Sequence, residues 1–165
     1  MDFKTLLPDF NAIGKTEWGR ISMDTKNPMN LIMALGAVLM VVFVFLSWST
    51  LVVEDESYTK AGISTWYGVF ALIMGLVALV GVLYNHTSLA FSAAVLGLVF
   101  GLMGVLIVPE MVIEGEVNSP DEIKDGMKDL KKMGYDCELK HLGAILYMVA
   151  SGVTALVAYL KIAKK

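Results

Sequence analysis

The chain has 165 residues, 56% of them apolar and 18% charged, with a mean hydropathy of +0.66 and a formal net charge of −3. So little charge on so apolar a chain argues against an ordinary soluble domain or a nucleic-acid-binding surface; apolar clumps between polar intervals are the pattern of a polytopic membrane protein. A lone cysteine, Cys137, rules out an intrachain disulfide, and no cleaved signal peptide is expected, because the N-terminus lacks a basic region followed by an apolar core.

In residues 1–28, Phe3, Leu6, Leu7, Phe10 and Ile13 fall near one helical face. Trp18, flanked by Lys15 and Arg20, would anchor such a helix in the membrane interface. Pro8 interrupts the pattern, so an irregular segment is equally compatible. Residues 30–53 form the first expected span, NLIMALGAVLMVVFVFLSWSTLVV, with Pro28 at its start and Trp48 suited to an interfacial aromatic belt. Glu54, Asp55 and Glu56 follow as three adjacent carboxylates, either a solvated loop or a cation-attracting cluster.

Residues 65–84 form the second span, with Trp66, Tyr67 and Tyr84 at its ends and Gly68, Gly75 and Gly81 for close helix contact. Asn85-His86-Thr87 reads as a tight turn; it matches a glycosylation pattern but lies too near the bilayer to serve as one. The third span, 88–108, carries no charge, and Ala93, Gly97 and Gly101 recur at four-residue spacing with Ala90 and Gly104 near the same face. Such a small-residue face lets a neighbouring backbone approach closely, so this is the expected central helix.

Residues 109–141 form the long polar loop, opening with a strand-like alternation of Met111, Ile113 and Val117. Ser119, Pro120 and Glu122 predict a capped helix start, after which Ile123, Met127, Leu130 and Met133 make one apolar stripe ending at Gly134. That amphipathic helix docks on its own bundle, the membrane surface or a partner. The fourth span, 142–160, offers Gly143, Ala144, Ser151, Gly152 and Ala155 as small contacts. Ser151 and Thr154 can return their hydroxyls to helix carbonyls.

The expected architecture is therefore an all-α membrane protein, a four-transmembrane-helix bundle in one integral domain, with an amphipathic helix between spans 3 and 4 and room for a small extracellular β element. Four spans put both termini on one side. Lys26 with Lys161, Lys164 and Lys165 outweighs Lys60 and Lys140 near the span ends, placing the termini in the cytoplasm. The outer loops then carry twelve acidic and six basic residues.

No Asp, Glu, Lys, Arg or His falls inside the four expected spans, which argues against proton relays and midplane ion sites. Asp136, Cys137, Glu138 and His141 match no zinc spacing, Cys137 has no recognisable catalytic partners, and Gly97-x-x-x-Gly101 reads as packing and not as a phosphate loop. No metal, cofactor or nucleic acid is expected.

FLSW at residues 45–48, a short polar loop and then STWYGVFALIMGLVALV resemble a diffuse class of small prokaryotic four-span membrane proteins of little-known function. In that class the first span often ends in Phe-Leu-Pro-Trp; here Ser47 stands where proline is common. With strand-like stretches at 49–54 and 111–117 in two unequal loops, the layout is also similar in topology to claudin-like tetraspan proteins. The paired cysteines and Trp-Gly-Leu-Trp motif of claudins are absent, so no claudin activity is implied.

The expected function is that of a non-enzymatic tetraspan protein in a prokaryotic plasma membrane, acting by assembly as a scaffold or accessory subunit. Its partners are the lipid bilayer and other membrane subunits or further copies of itself. Ala93, Gly97, Gly101, Gly68 and Gly75 would make helix contacts, and Ile123, Met127 and Leu130 would dock a partner. The alternative is a homo-oligomeric pore with Glu54, Asp55 and Glu56 at an acidic mouth. A lipid-handling membrane enzyme is a third reading that lacks a catalytic constellation.

Overall fold

The computed structural model describes residues 7–16, 21–113 and 116–164. In chain order they form α1 (Phe10–Gly14), α2 (Pro28–Phe43), β1 (Ser47–Val53), β2 (Glu56–Ala61), a 3-10 turn (Gly62–Ser64), α3 (Trp66–Leu83), α4 (Thr87–Leu106), β3 (Met111–Ile113), β4 (Glu116–Asn118), α5 (Pro120–Lys132), β5 (Cys137–Lys140) and α6 (Leu142–Ala163). The protein is mostly helical with a small sheet. Three helices, α3, α4 and α6, are long and apolar enough to cross a membrane. Of the expected interfacial helix, Phe3, Leu6, Trp18 and Arg20 lie outside the described residues; the part described is the single turn α1, with Leu7 and Phe10 exposed.

The first expected span is corrected. The apolar run at 30–53 is not one helix: α2 stops at Phe43, Val44–Leu46 turn, and the chain continues as β1. The strongly apolar run gives way to Ser47-Trp48-Ser49-Thr50, and Trp, Thr and the Val pair of β1 suit a pleated strand. The strand also has partners on both edges. β1 is central in an antiparallel sheet ordered β2–β1–β5, with Leu51 opposite Tyr58 on one side and Leu139 on the other. β3 and β4 form a separate hairpin; residues 114–115 of the expected strand-like stretch lie outside the described residues.

α4 packs against α3 and α6, and α2 packs against the same two helices from the other side. The packing is inside-out relative to a water-soluble core. The buried residues of α4 are Thr87, Ala90, Ala93, Ala94, Gly97, Gly101 and Gly104, whereas Val95, Leu96, Val99, Leu102 and Leu106 are exposed. α2 and α6 repeat the pattern, with Leu31, Leu35, Val38, Val149, Val153 and Leu156 turned outward. Small residues at the contacts and large aliphatics outside are what helices in lipid need, since association there depends on close packing and not on removing apolar surface from water.

The expected place of Trp48 in an interfacial belt is also corrected. Trp48 is fully buried where the sheet meets the helices. Its Nε1–H donates to the Phe43 carbonyl at 2.8 Å, satisfying one of the orphan acceptors left where α2 ends. Its ring lies 6.0 Å from that of Tyr67 and 5.3 Å from that of Tyr147. Three glycines make the slot: Gly62 before α3, Gly104 in α4 and Gly143 at the start of α6 all approach the indole so closely that a Cβ would collide with it.

At the opposite end, polar side chains tie the helices together. Lys161 Nζ donates to Asn30 Oδ1 at 2.6 Å and to Asn85 Oδ1 at 2.8 Å, joining α6 to α2 and to the α3–α4 turn. Asn30 Nδ2 in turn donates to the Asp24 carbonyl at 2.9 Å, and Thr16 Oγ1 lies 2.6 Å from His86 Nε2. The tight turn expected at 85–87 is present, with Asn85 at φ 58°.

The glycine slot makes a graded prediction. An added methyl at Gly152 meets only Leu98 Cδ2 at 3.8 Å, an ordinary van der Waals contact, whereas at Gly104 it meets the enclosed Trp48 ring. Gly152→Ala should stay within about 1 kcal/mol of wild type, while Gly104→Ala should lose roughly 1–3 kcal/mol in thermal unfolding in mild detergent. A Gly104→Ala protein as stable as wild type would show that the indole is not tightly enclosed.

Candidate functional site

Beyond the ends of α3 and α4, the three-stranded sheet, the β3–β4 hairpin and α5 form a cap. α5 is specified locally. Ser119 Oγ accepts from the Glu122 N–H at 3.3 Å while Glu122 Oε2 accepts from the Ser119 N–H at 2.7 Å, a reciprocal capping box with Pro120 at the first helical position. Those bonds hold the Glu122 carboxyl below its usual range. The helix ends at Gly134 (φ 92°), whose N–H donates to the Lys131 carbonyl while the Tyr135 N–H donates to that of Leu130.

One face of the sheet receives this helix. Strand alternation puts Leu51 and Val53 of β1 on that face with their cross-strand partners Leu139 and Cys137 of β5. Leu51, Met111, Ile123 and Cys137 are buried together, with Tyr58, Ile113, Met127 and Leu130 packed around them. The apolar stripe of α5 therefore docks on the chain's own sheet. Ile123 is buried, and Met133 at the end of the stripe stands 72% exposed, beyond the sheet's reach.

The docking is incomplete. A cavity of about 280 Å³ remains between α5 and the sheet, walled by Leu51, Val53, Ile123, Met127 and Leu130, with Cys137 in it. Its polar lining is Glu56, Tyr58, Asn118 and Glu122, with no lysine or arginine. Tyr58 donates its hydroxyl to Glu56 Oε2 at 2.6 Å, which orients one rim carboxylate. Chemically this is an apolar slot with an acidic rim. It suits an apolar group that carries a cation or hydrogen-bond donor beside it.

The other sequence-derived candidates fall in different places. Glu54 and Asp55 are exposed in the β1–β2 turn, with Glu54 at φ 51°, while Glu56 starts β2 and lines the cleft. Gly97 lies against Met40, Tyr147 and Ser151, Gly101 against Met148 and Tyr147, Gly75 against Met40 and Val41, and Gly68 against the Gly62 carbonyl. Ala93 is buried with them. All five candidate helix-packing residues are thus in use within the chain.

Asp136, Cys137, Glu138 and His141 do not converge. Cys137 faces α5, Glu138 lies 3.3 Å from Lys140 on the surface, and His141 Nδ1 lies 3.3 Å from the Trp48 carbonyl. Among the described residues no three His, Cys, Asp or Glu side chains gather into a metal-binding group. Leu51, Val53, Tyr58 and Cys137 are cleft residues that no motif in the sequence marks. The available signal was the period-2 spacing of Leu51 with Val53 and of Cys137 with Leu139.

No protein-family model, curated protein or solved structure matches this chain.

Two measurements probe the cleft. Burial pushes the Cys137 thiol above its ordinary value, with nearby Lys131 pulling it down and Asp136 adding to the rise. Labelling by a small maleimide should therefore be slow at neutral pH and go on rising above the pH at which a free thiol levels off, since only the thiolate reacts; a plateau at or below that of a free thiol would contradict the burial. At Gly126 of α5 an added methyl meets nothing within 4 Å. Gly126→Ala should raise stability by about 0.5–1 kcal/mol through helix propensity, and a lowered melting temperature would mean the open space is not there.

Proposed function

We propose that this is a non-enzymatic, four-span membrane protein that works by assembly, as a scaffold or accessory subunit, and that the cap cleft receives its partner. The fourth span in this reading is α2 with the turn that follows it. α2 alone is about 24 Å long, slightly short of a hydrocarbon core, and Val44–Leu46 extend it. Its outward Leu31, Ile32, Leu35, Val38 and Val42 then face lipid as the other helices do. This agrees with the small four-span proteins that the FLSW stretch and the glycine-rich helix after it resemble. Both termini lie on the cytoplasmic side of a prokaryotic plasma membrane in this arrangement, and the cap lies outside.

The observation that carries the reading is the incomplete docking of α5. α5 covers its sheet only in part and leaves an apolar slot whose charged rim residues, Glu56 and Glu122, are of one sign. The occupant it fits is an apolar side chain flanked by a basic residue on a partner subunit, the apolar part filling the slot and the cation meeting the carboxylates. The small-residue faces, used internally, leave the cap as the surface that distinguishes one partner from another. A pore draws no support from the helix interior, which Met40, Trp48, Tyr67 and Tyr147 fill, so conduction would need a path between copies.

The test is crosslinking in intact membranes, followed by the native mass of the purified protein in nanodiscs. Met127→Arg places a long cation in the slot and should lower the complexed fraction about tenfold, while Lys128→Glu on the exposed face should leave it unchanged. A protein that runs at its own monomer mass after crosslinking would sink the assembly reading. A symmetric homo-oligomer insensitive to Met127→Arg would instead favour the pore.

A further inference from the structure

A second cavity, of about 330 Å³, lies where α3 begins at Trp66 and the chain leaves α4 through Ile107 and Glu110. Lys60 of β2, Ser64 and Trp66 line it together with Glu110. Tyr67 also lines it, its hydroxyl donating to the Ile107 carbonyl at 3.4 Å. Lys60 and Glu110 take part in no ion pair within 4.0 Å among the described residues, so one cation and one anion border the same space without neutralising each other. Trp66 is 57% exposed, held edge-on by Tyr67 and Phe70. On the helix turns leading away from the cavity, Leu106, Val69 and Phe70 are exposed.

A polar cavity with both charge signs, bordered by an exposed indole and followed by exposed apolar side chains, matches an amphiphile at a membrane–water boundary. We propose that this cavity seats the headgroup of a zwitterionic phospholipid. Its phosphate lies on Lys60 and the Ser64 hydroxyl, its amine on Glu110 and the Trp66 ring, and its chains run along Leu106, Val69 and Phe70. The proposal rests on α3 and α4 crossing a bilayer, which puts Trp66 and Ile107 at headgroup level. An anionic headgroup without an amine would leave Glu110 facing negative charge, and a free phosphate ester would forgo the apolar contacts.

The experiment places the full chain in nanodiscs containing equal phosphatidylethanolamine, phosphatidylcholine and phosphatidylglycerol, and reads by native mass spectrometry which lipid stays bound. Wild type should retain one zwitterionic lipid about tenfold over phosphatidylglycerol, the size expected of charge-assisted contacts. Glu110→Gln should bring that ratio near one, and Lys60→Gln should remove the retained lipid. Thermal unfolding in the same discs checks that both variants stay folded, as substitution at these surface positions predicts. Retention without headgroup preference, or an unchanged preference in the double variant, would overturn the proposal. Displacement of the lipid by chain-free glycerophosphoethanolamine would overturn it too, assigning the cavity to a soluble phosphate ester. Release of the protein from membranes by alkaline carbonate would overturn the spanning arrangement itself; resistance to carbonate without lipid preference would overturn the lipid site alone.

Discussion

Burying an indole whole requires a flat slot and an acceptor for its N–H, and this chain provides both around Trp48. The Phe43 carbonyl, freed because α2 ends there, takes the hydrogen bond, and three glycines from separate elements supply the slot. The same residue sits at the second position of β1. One side chain therefore joins the end of a helix, the start of the sheet and the first turns of α3 and α6. The sheet is fastened to the helices by this contact, in addition to its own ladder and its packing against α5.

The helices below are organised by exclusion of bulk. Gly and Ala occupy the contacts, while leucine, isoleucine and valine cover the outside. Of the hydroxyls that enter the contacts, that of Thr154 bonds back to the Ala150 carbonyl of its own helix at 2.8 Å, whereas the buried hydroxyl of Ser151 returns no bond to its helix. The larger buried groups, Tyr147 and Met40, fill the spaces between glycines, and the Tyr147 hydroxyl donates to the Ala71 carbonyl at 2.7 Å. Such an interior is closed. The incomplete packing lies in the cap, where α5 covers its sheet only in part.

The sequence made three apolar helices, the strand-like stretch at Met111–Ile113 and the capped start of α5 legible, because each has a local cause: length without charge, alternation, and Ser119 with Pro120 and Glu122. It concealed the end of α2. No Gly or Pro stands between Phe43 and Val53 to mark the terminus, and apolar residues continue past it; only the strand-like stretch at 49–54 hints that the helix has already ended. The break is decided by non-local pairing with β2 and β5. Trp48 was misplaced for the same reason: an aromatic near the end of an apolar run looks interfacial until the glycines that enclose it, 14, 56 and 95 residues downstream, are brought around it. The glycine spacing of α4 was legible as a packing face, but whether that face meets its own chain or another is a matter of three dimensions. The second cavity was illegible altogether, for Lys60, Trp66 and Glu110 come from three separate elements.

The pairing of β1 with β5 bears on how the protein is made. Thr50 is opposite Lys140, so the inner edge of β1 stays open while α3, α4 and α5 are synthesised. β5 leads within two residues into α6, which packs against α2 and α4. Closing the sheet and seating the last helix are therefore a single late event, carried out by one continuous segment of chain. Until then the hairpin of β1 and β2 presents an unpaired strand edge, and the start of α6 has yet to close the remaining side of the Trp48 slot. A chain cut short before β5 retains both defects together, an exposed edge and an indole without its full enclosure, and such a fragment is a natural substrate for quality-control proteolysis.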